Sequence, residues 1–575
     1  MHPLPTCLRA LPPLCLAALV GCQSALPTPT TAPVTAKPTT GPAAAPTTAP
    51  AAPTPTSVPA GEPVQLEPVK DQVVLVDQVG YLPNYAKIGL VNDAKATLFH
   101  VVETQTSRSV LSGNLGDVMR DTDTGQSVRR ADFSGLSRPG TYVLNVAGVG
   151  RSLEFRVGDD VYQKLYDDGL ASYEQLAVLA PPAFHSASVK DRQSDRQLDI
   201  SGGWPDAGDY GRYMPSAVSA LGTLLLIGDV RSESLSAAEL KVLKRELDWM
   251  LTMQRADGGV YHKVTPLKFG GFDKTSDNIG GQLYAFDVST PDAAVFAAIA
   301  SQAARVYRAS DAVYAERLLK AAQLAWAWLE RNPKPVLPTE LEGTGGYVYG
   351  SDGTQRFWAA AELLRTTGEA SFGEYVRAYL DKRPPSVEQL GWNNTTTYGL
   401  LSLAFNPAAD PALRQKIQGL LTRWADGMVT TVNSRTNPWA ISISNFHWAS
   451  NKTTLDNAAV LLAANRLSPK PSYVNAALEQ LHYVLGRNAL SKSYVTGFGT
   501  NSVKNPHNRT MFVLGKLVPG VLVGGPNGDA QDNITPASQG QRSYVDELKA
   551  YASNENSVEY NAPLVLVAAV FAASG

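Results

Sequence analysis

The spacing of apolar positions changes character along this chain. Residues 73–157 carry short runs rich in β-branched and aromatic side chains: Val73 to Val76, Ile88 to Val91, Ala96 to Val102, Tyr142 to Val146 and Ser152 to Val157. Turn signals such as Arg138-Pro139-Gly140 separate them, a combination that predicts a small β-sandwich. From Val161 onward the period lengthens. Leu240, Leu243, Leu247 and Met250 recur at helical spacing, as do Val295, Ile299 and Val306 behind the start signal Ser289-Thr290-Pro291-Asp292. Further amphipathic runs near 316–330, 356–366, 411–430, 455–465, 472–485 and 562–573 complete a pattern in which strands do not alternate with helices. The expected fold is mainly α, one large all-helical domain with elaborate Gly-, Asn- and aromatic-rich loops. Chemistry is to be sought on those loops.

The first 68 residues add no core. Met1 to Cys22 has Arg9 in a short leading region, an apolar stretch from Leu14 to Val20, and Gly21 before Cys22. That is the form of an export signal, too short to span a bilayer. Leu19-Val20-Gly21-Cys22 resembles a bacterial lipobox, which makes Cys22 the expected lipidation site. Residues 23–68 are largely Pro, Thr and Ala and read as an extended spacer. The expected protein is exported and lipid-anchored at the outer membrane or cell surface, or secreted, with the lipid as its sole membrane contact. All three cysteines, Cys7, Cys15 and Cys22, fall within the signal, so the remaining chain has no disulfide and no cysteine-held metal. Lys and Arg number 50 against 52 Asp and Glu, a net charge of −2, and the basic footprint that nucleic acid demands is missing.

The densest polar motif is Gly202-Gly203-Trp204-Pro205-Asp206-Ala207-Gly208-Asp209-Tyr210-Gly211-Arg212-Tyr213, just before an Ala/Leu-rich helix. Two carboxylates three residues apart among glycines and aromatics can activate a water or bind a cation; a turn and helix cap is the structural alternative. A second acidic segment runs from Asp546 to Ala562, with Glu555 between Asn554 and Asn556 and Asp546 in a supporting place. A third, Asn505 to Thr510, offers His507 and Arg509. Hydrolysis of a glycosidic bond needs one protonated acid at the leaving oxygen and one ionised carboxylate on the other side, and two carboxyl clusters from distant loops supply both. Aromatic rings suit the C–H faces of sugars, and Tyr210 and Trp392 are the candidates for substrate contact.

Motifs in this order resemble glycoside hydrolase family 9, the inverting cellulases, in the form with an N-terminal immunoglobulin-like domain. They are Val79-Gly80-Tyr81-Leu82-Pro83, Asp132-Phe133-Ser134 and Pro139-Gly140-Thr141-Tyr142, then the segment around Asp206 and Asp209, Met253-Gln254 to His262, Trp358 to Leu363, Phe446 to Asn451, Leu485 to Gly499, Pro506 to Arg509, and Asn554 to Ala562. The resemblance implies an immunoglobulin-like β-sandwich over 69–158 and an (α/α)6 barrel over 159–575. It makes Asp209 the general base, Asp206 its partner in holding the water and Glu555 the general acid. His507 and Arg509 match substrate contacts, His262 a histidine near the cleaved bond, and Tyr560 a tyrosine beside the acid. The expected activity is an endo-β-1,4-glucanase on cellulose-like or mixed-linkage β-glucans, acting as a monomer. The alternatives are an exo-acting member (β-glucosidase, cellobiohydrolase or exo-β-glucosaminidase) and a non-catalytic glycan-binding lipoprotein. Departures from the pattern bear on ligands. Residues 165–200 hold no Cys and only His185, so zinc is not expected; no D-x-D-x-D-G loop is present, so calcium has at most a structural place and no metal is assigned to the site. Asn508 replaces a histidine, and the loop Phe269 to Thr290 does not match, which leaves the substrate preference open.

Overall fold

The structure, a computed structural model, describes residues 61–186, 188–272, 279–339 and 343–572; Cys22, the signal and most of the spacer lie outside the described residues. The sandwich comprises β1 (Val74–Leu75), β2 (Gly80–Tyr81), β3 (Ile88–Val91), β4 (Leu98–Glu103), β5 (Arg108–Asn114), β6 (Met119–Arg120), β7 (Ser127–Asp132), β8 (Gly140–Val146), β9 (Gly150–Arg151) and β10 (Phe155–Val157). One sheet runs β1-β3-β7-β6 and the other β2-β10-β8-β4-β5, with β9 on β8. Phe99, Val101, Phe133, Tyr142, Leu144 and Phe155 fill the space between them. Strands β3, β4, β8 and β10 fall on predicted runs. Strand β7 does not, because in Ser-Val-Arg-Arg-Ala-Asp only Val128 and Ala131 are buried, too few apolar positions to show alternation.

The helices are α1 (Gln163–Leu179), α2 (Met214–Arg231), α3 (Ala237–Thr252), α4 (Thr290–Tyr307), α5 (Ala312–Arg331), α6 (Gly353–Thr367), α7 (Ala370–Lys382), α8 (Thr396–Ala404), α9 (Pro411–Val432), α10 (Ser450–Leu467), α11 (Pro471–Val484), the short α12 (Arg509–Leu514) and α13 (Tyr551–Asn554), and α14 (Val558–Phe571). Twelve of them are long, and they alternate between an outer and an inner ring of an (α/α)6 barrel. Helices α2, α4, α6, α8, α10 and α14 form the inner ring. They are buried on most faces, as a helix surrounded by protein must be, and buried charges such as Arg356 and Lys452 are paired with Asp352 and Asp456: α8 buries all nine of its residues, whereas outer α9 buries Ile417, Leu421, Ala425 and Val432 and leaves the rest at least partly exposed. Side chains fix the starts of α3 and α4, the latter where the sequence placed it. Ser289 accepts from the Asp292 amide at α4, and Ser236 and Glu239 form a reciprocal capping box at α3.

The barrel is not wholly helical. Strands β11 (Ser188–Asp191), β12 (Gln197–Asp199), β13 (Arg212–Tyr213), β14 (Val260–Pro266) and β15 (Leu283–Ser289) make a sheet in the order β12-β11-β15-β14-β13. Strand β14 is buried at every position although it contains His262, Lys263 and Thr265, so its polar residues carry no outward period for sequence reasoning to read.

The described residues all fall in one compact unit, and a buried polar cluster joins sandwich to barrel. The carboxylate of Asp77, fully buried, lies 3.1 Å from the Tyr162 hydroxyl and 2.9 Å from Nδ1 of His482 on α11. Next to it, Gln78 donates from its backbone to Leu485 and from its side chain to Ser491.

Candidate active site

The turn from Gly202 to Tyr213 ends at α2, which places Asp206 and Asp209 at the mouth of the inner ring. Its foundation is internal: the Trp204 amide donates to the buried Glu246 carboxylate at 2.6 Å, and Arg212 donates to the Gly202 carbonyl. Two C-terminal loops then close on the turn. The Val558 amide donates to the Asp206 carbonyl, and the Arg509 amide to the Gly208 carbonyl. A residue with a side chain could not replace Gly208, since a Cβ there would lie 2.3 Å from the His507 carbonyl oxygen and 2.7 Å from Glu555 Oε1. That closeness lets the Gly208 amide donate to Glu555 Oε1 at 3.0 Å. His507 and Glu555 are paired by a parallel bridge, with the His507 amide on the Asn554 carbonyl.

Asp206, Asp209 and Glu555 therefore share one neighbourhood, and their environments differ. Asp206 is 4% exposed, accepts from the Tyr347 hydroxyl at 2.7 Å and from Ser557, and is pushed up to about 8, first by burial and then by the charge of Asp209. Asp209 is also raised by burial, but the Gly211 amide, Arg509, Tyr213 and Lys263 all favour its charged form. Glu555 is held well above the usual carboxyl range by burial and by the charges of Asp209 and Asp206. The set thus contains two carboxyls kept protonated, Asp206 and Glu555, and one, Asp209, whose ionised form is supported, and so includes the division that acid–base cleavage requires.

His507 donates from Nδ1 to the Leu548 carbonyl at 2.6 Å, and burial lowers it to about 4, so it is neutral with the Nε2 lone pair facing Glu555 Oε1 at 4.0 Å. Arg509 spends its guanidinium on the carbonyls of Gly208 and Gly270. Phe272 lies against both, 4.3 Å from the His507 ring and 4.5 Å from the Arg509 guanidinium. Asp546 braces this loop from behind, accepting from Lys492 at 2.7 Å and from the amides of Lys504 and Asn505. Tyr560 accepts from the Trp448 indole at 2.5 Å, and Tyr210 sits in the turn, 8% exposed, beside Thr510. Trp392 sets its ring edge-on to Tyr347 and Tyr349, 5.2 and 5.5 Å between centroids.

His262 stands apart. It is fully buried on β14 with Nδ1 2.8 Å from Asp292 Oδ2, and its ring faces Tyr349 at 6.0 Å, one layer behind the aromatic wall. Sequence reasoning did not pick out Tyr347, which holds Asp206, or Glu559, one turn beyond Glu555. The Gly/Tyr-rich run Gly343 to Gly350 was the available signal for the first. Among the described residues no group of three or more His, Cys, Asp or Glu stands ready to hold a metal.

Comparison with known proteins places these features. The family description "Glycosyl hydrolase family 9" matches residues 166–568, and "Cellulase N-terminal ig-like domain" matches residues 70–151. Endoglucanase D of Acetivibrio thermocellus is 31% identical over 541 residues, spanning 87% of this chain and 83% of that protein. A xyloglucan-specific endo-β-1,4-glucanase of Bacteroides ovatus is 30% identical over 558 residues, 87% of this chain and 94% of that one. The crystal structure of a metagenome-derived glycoside hydrolase family 9 endoglucanase superposes with a TM-score of 0.82 at 32% identity, covering 87% of this chain and 99% of that one.

Proposed function

The chain belongs to glycosyl hydrolase family 9, and from that premise we propose that it is an endo-β-1,4-glucanase that cleaves cellulose-like or mixed-linkage β-glucan with inversion. The observation that carries this reading is the convergence of Asp206, Asp209 and Glu555 around Gly208 in unlike electrostatic settings. Glu555, protonated, gives its proton to the leaving glycosidic oxygen. Asp209, supported as a carboxylate, takes a proton from the attacking water, which Asp206 helps to hold through a hydrogen bond. Water attacks opposite the departing oxygen, and the β-linkage yields an α-anomer.

One observation favours a second reading, an exo-acting enzyme on short oligosaccharides. Phe272 covers the faces of His507 and Arg509 that a long chain would cross, and a relative 31% identical over 554 residues is the cellodextrinase of Butyrivibrio fibrisolvens. Product sizes and early product anomers on carboxymethylcellulose, barley β-glucan and cello-oligosaccharides, with Glu555→Gln as the blank, separate the readings. Rapid shortening of soluble polymer and an α-anomer are expected. A single small product from the start means exo action, and a β-anomer or undiminished turnover in Glu555→Gln overturns the mechanism.

A further inference from the structure

Beside the three carboxyls lies a depression of about 300 Å³, lined by Gln389, Trp392, Asn393, Trp448, Lys452 and Glu559. It adjoins the reacting groups on two sides. Trp392 meets Tyr347, which holds Asp206, and Trp448 donates to Tyr560. Glu559 is 7% exposed, a buried acid that the catalytic scheme does not use. Burial raises it, while the Lys452 ammonium and the Ser219 hydroxyl favour its charged form. Lys452 gives hydrogen bonds to the Leu390 carbonyl and to Asp456. A hydroxyl has one proton to give, so most acceptor sites of the Glu559 carboxylate are left for whatever enters the depression.

We propose that Glu559 is a specificity-determining residue, accepting paired hydrogen bonds from two neighbouring equatorial hydroxyls of a neutral, unbranched pyranose ring lodged between Trp392 and Trp448. The proposal rests on the glycoside hydrolase reading and deepens it. A carboxylate offers two oxygens at the separation of a vicinal diol, and indole faces suit the ring's C–H surface. The depression lies at the lower end of ligand-pocket size, room for a ring rather than a branched unit. A ring that presents one hydroxyl axially leaves a buried acceptor unpaired, the kind of mismatch that polar sites reject most strongly. Lys452 beneath the acid removes the need for a cationic sugar. The same ammonium pins the Leu390 carbonyl, two residues before Trp392, and so fixes the height of that wall.

Calorimetric titration of the full chain carrying Glu555→Gln with cellotetraose, mannotetraose and a glucosamine tetramer tests this. Cellotetraose should bind about tenfold or more tighter than mannotetraose, whose C2 hydroxyls are axial. Adding Glu559→Gln should collapse that ratio toward one by weakening cellotetraose, and Glu559→Asp should restore part of it. The ligand ratio in Glu555→Gln alone does not depend on the Glu559 variants folding, and a ratio near one there already overturns the proposal. An unchanged ratio in the double variant overturns it as well, as does tightest binding of the glucosamine tetramer lost with Glu559. Sugar turnover by Glu555→Gln would instead overturn the catalytic assignment, a separate result.

Discussion

Asp206 and Asp209 are separated by two residues and do different work because one is sealed and the other is supported. Tyr347 and Ser557 donate to Asp206 in a buried site that favours its protonated form, while Arg509 and Lys263 draw Asp209 toward ionisation. The proposed mechanism needs Asp209 charged and Glu555 protonated, and both groups titrate above their ordinary values. The acid limb of kcat/KM reports Asp209, and the alkaline limb reports the proton lost from Glu555. The charge that Asp206 acquires as it ionises helps to keep that proton on. Asp206→Asn is therefore expected to move the alkaline limb to lower pH and to reduce kcat on the order of 10²-fold. A pH profile with the limb unmoved would separate Asp206 from Glu555. The two acids and Glu555 could be picked out of the sequence as candidates, because carboxyls among glycines and aromatics, in segments that resemble a known family's, can serve chemistry as well as cap a helix. Tyr347 and Glu559 were not. A tyrosine and a glutamate become functional by the direction they face, and direction is absent from a string of residues.

At the scale of elements, the site is a junction of three segments that share no helix: the turn before α2, the loop before α12 and the segment between α13 and α14. Gly208 is the point where they meet. Gly208→Ala should fold, since the barrel helices do not depend on it, but the added methyl must displace the His507 carbonyl or Glu555. A loss of kcat/KM on the order of 10²-fold is expected from a shift of about an ångström. Circular dichroism alongside kinetics checks this, and a fully active variant would show the loops to be more yielding than their contacts suggest. The start of α4 was readable because Ser289 acts locally on the next turn. The sheet of β11 to β15 was not. Strand β14 owes its burial to α2, α4 and its sheet neighbours rather than to its own alternation.

Across the whole molecule, the sandwich and barrel share a dry polar joint. Asp77 holds Tyr162 and His482 there, all three buried, while Arg487 lies fully buried against Glu479 at 2.6 Å. Removing one member of such a cluster strands the others without water, so Asp77→Ala should cost about 3–5 kcal/mol. Denaturant unfolding followed by fluorescence should show the sandwich and barrel shifting together in one transition. A change under about 1 kcal/mol would mean that the joint is dispensable to stability. The sequence by itself determined the order of domains, the helical period and the start of α4, and it supplied the carboxyls proposed to react. Each of these rests on local spacing or on rare residue types set in recognisable surroundings. Only the tertiary structure decided which carboxyl is sealed and which supported, that His262 lies behind the wall, that Phe272 covers His507, and that Glu559 faces a cavity. Those properties are set by desolvation and by partners hundreds of residues away, and the folded chain alone brings them into contact.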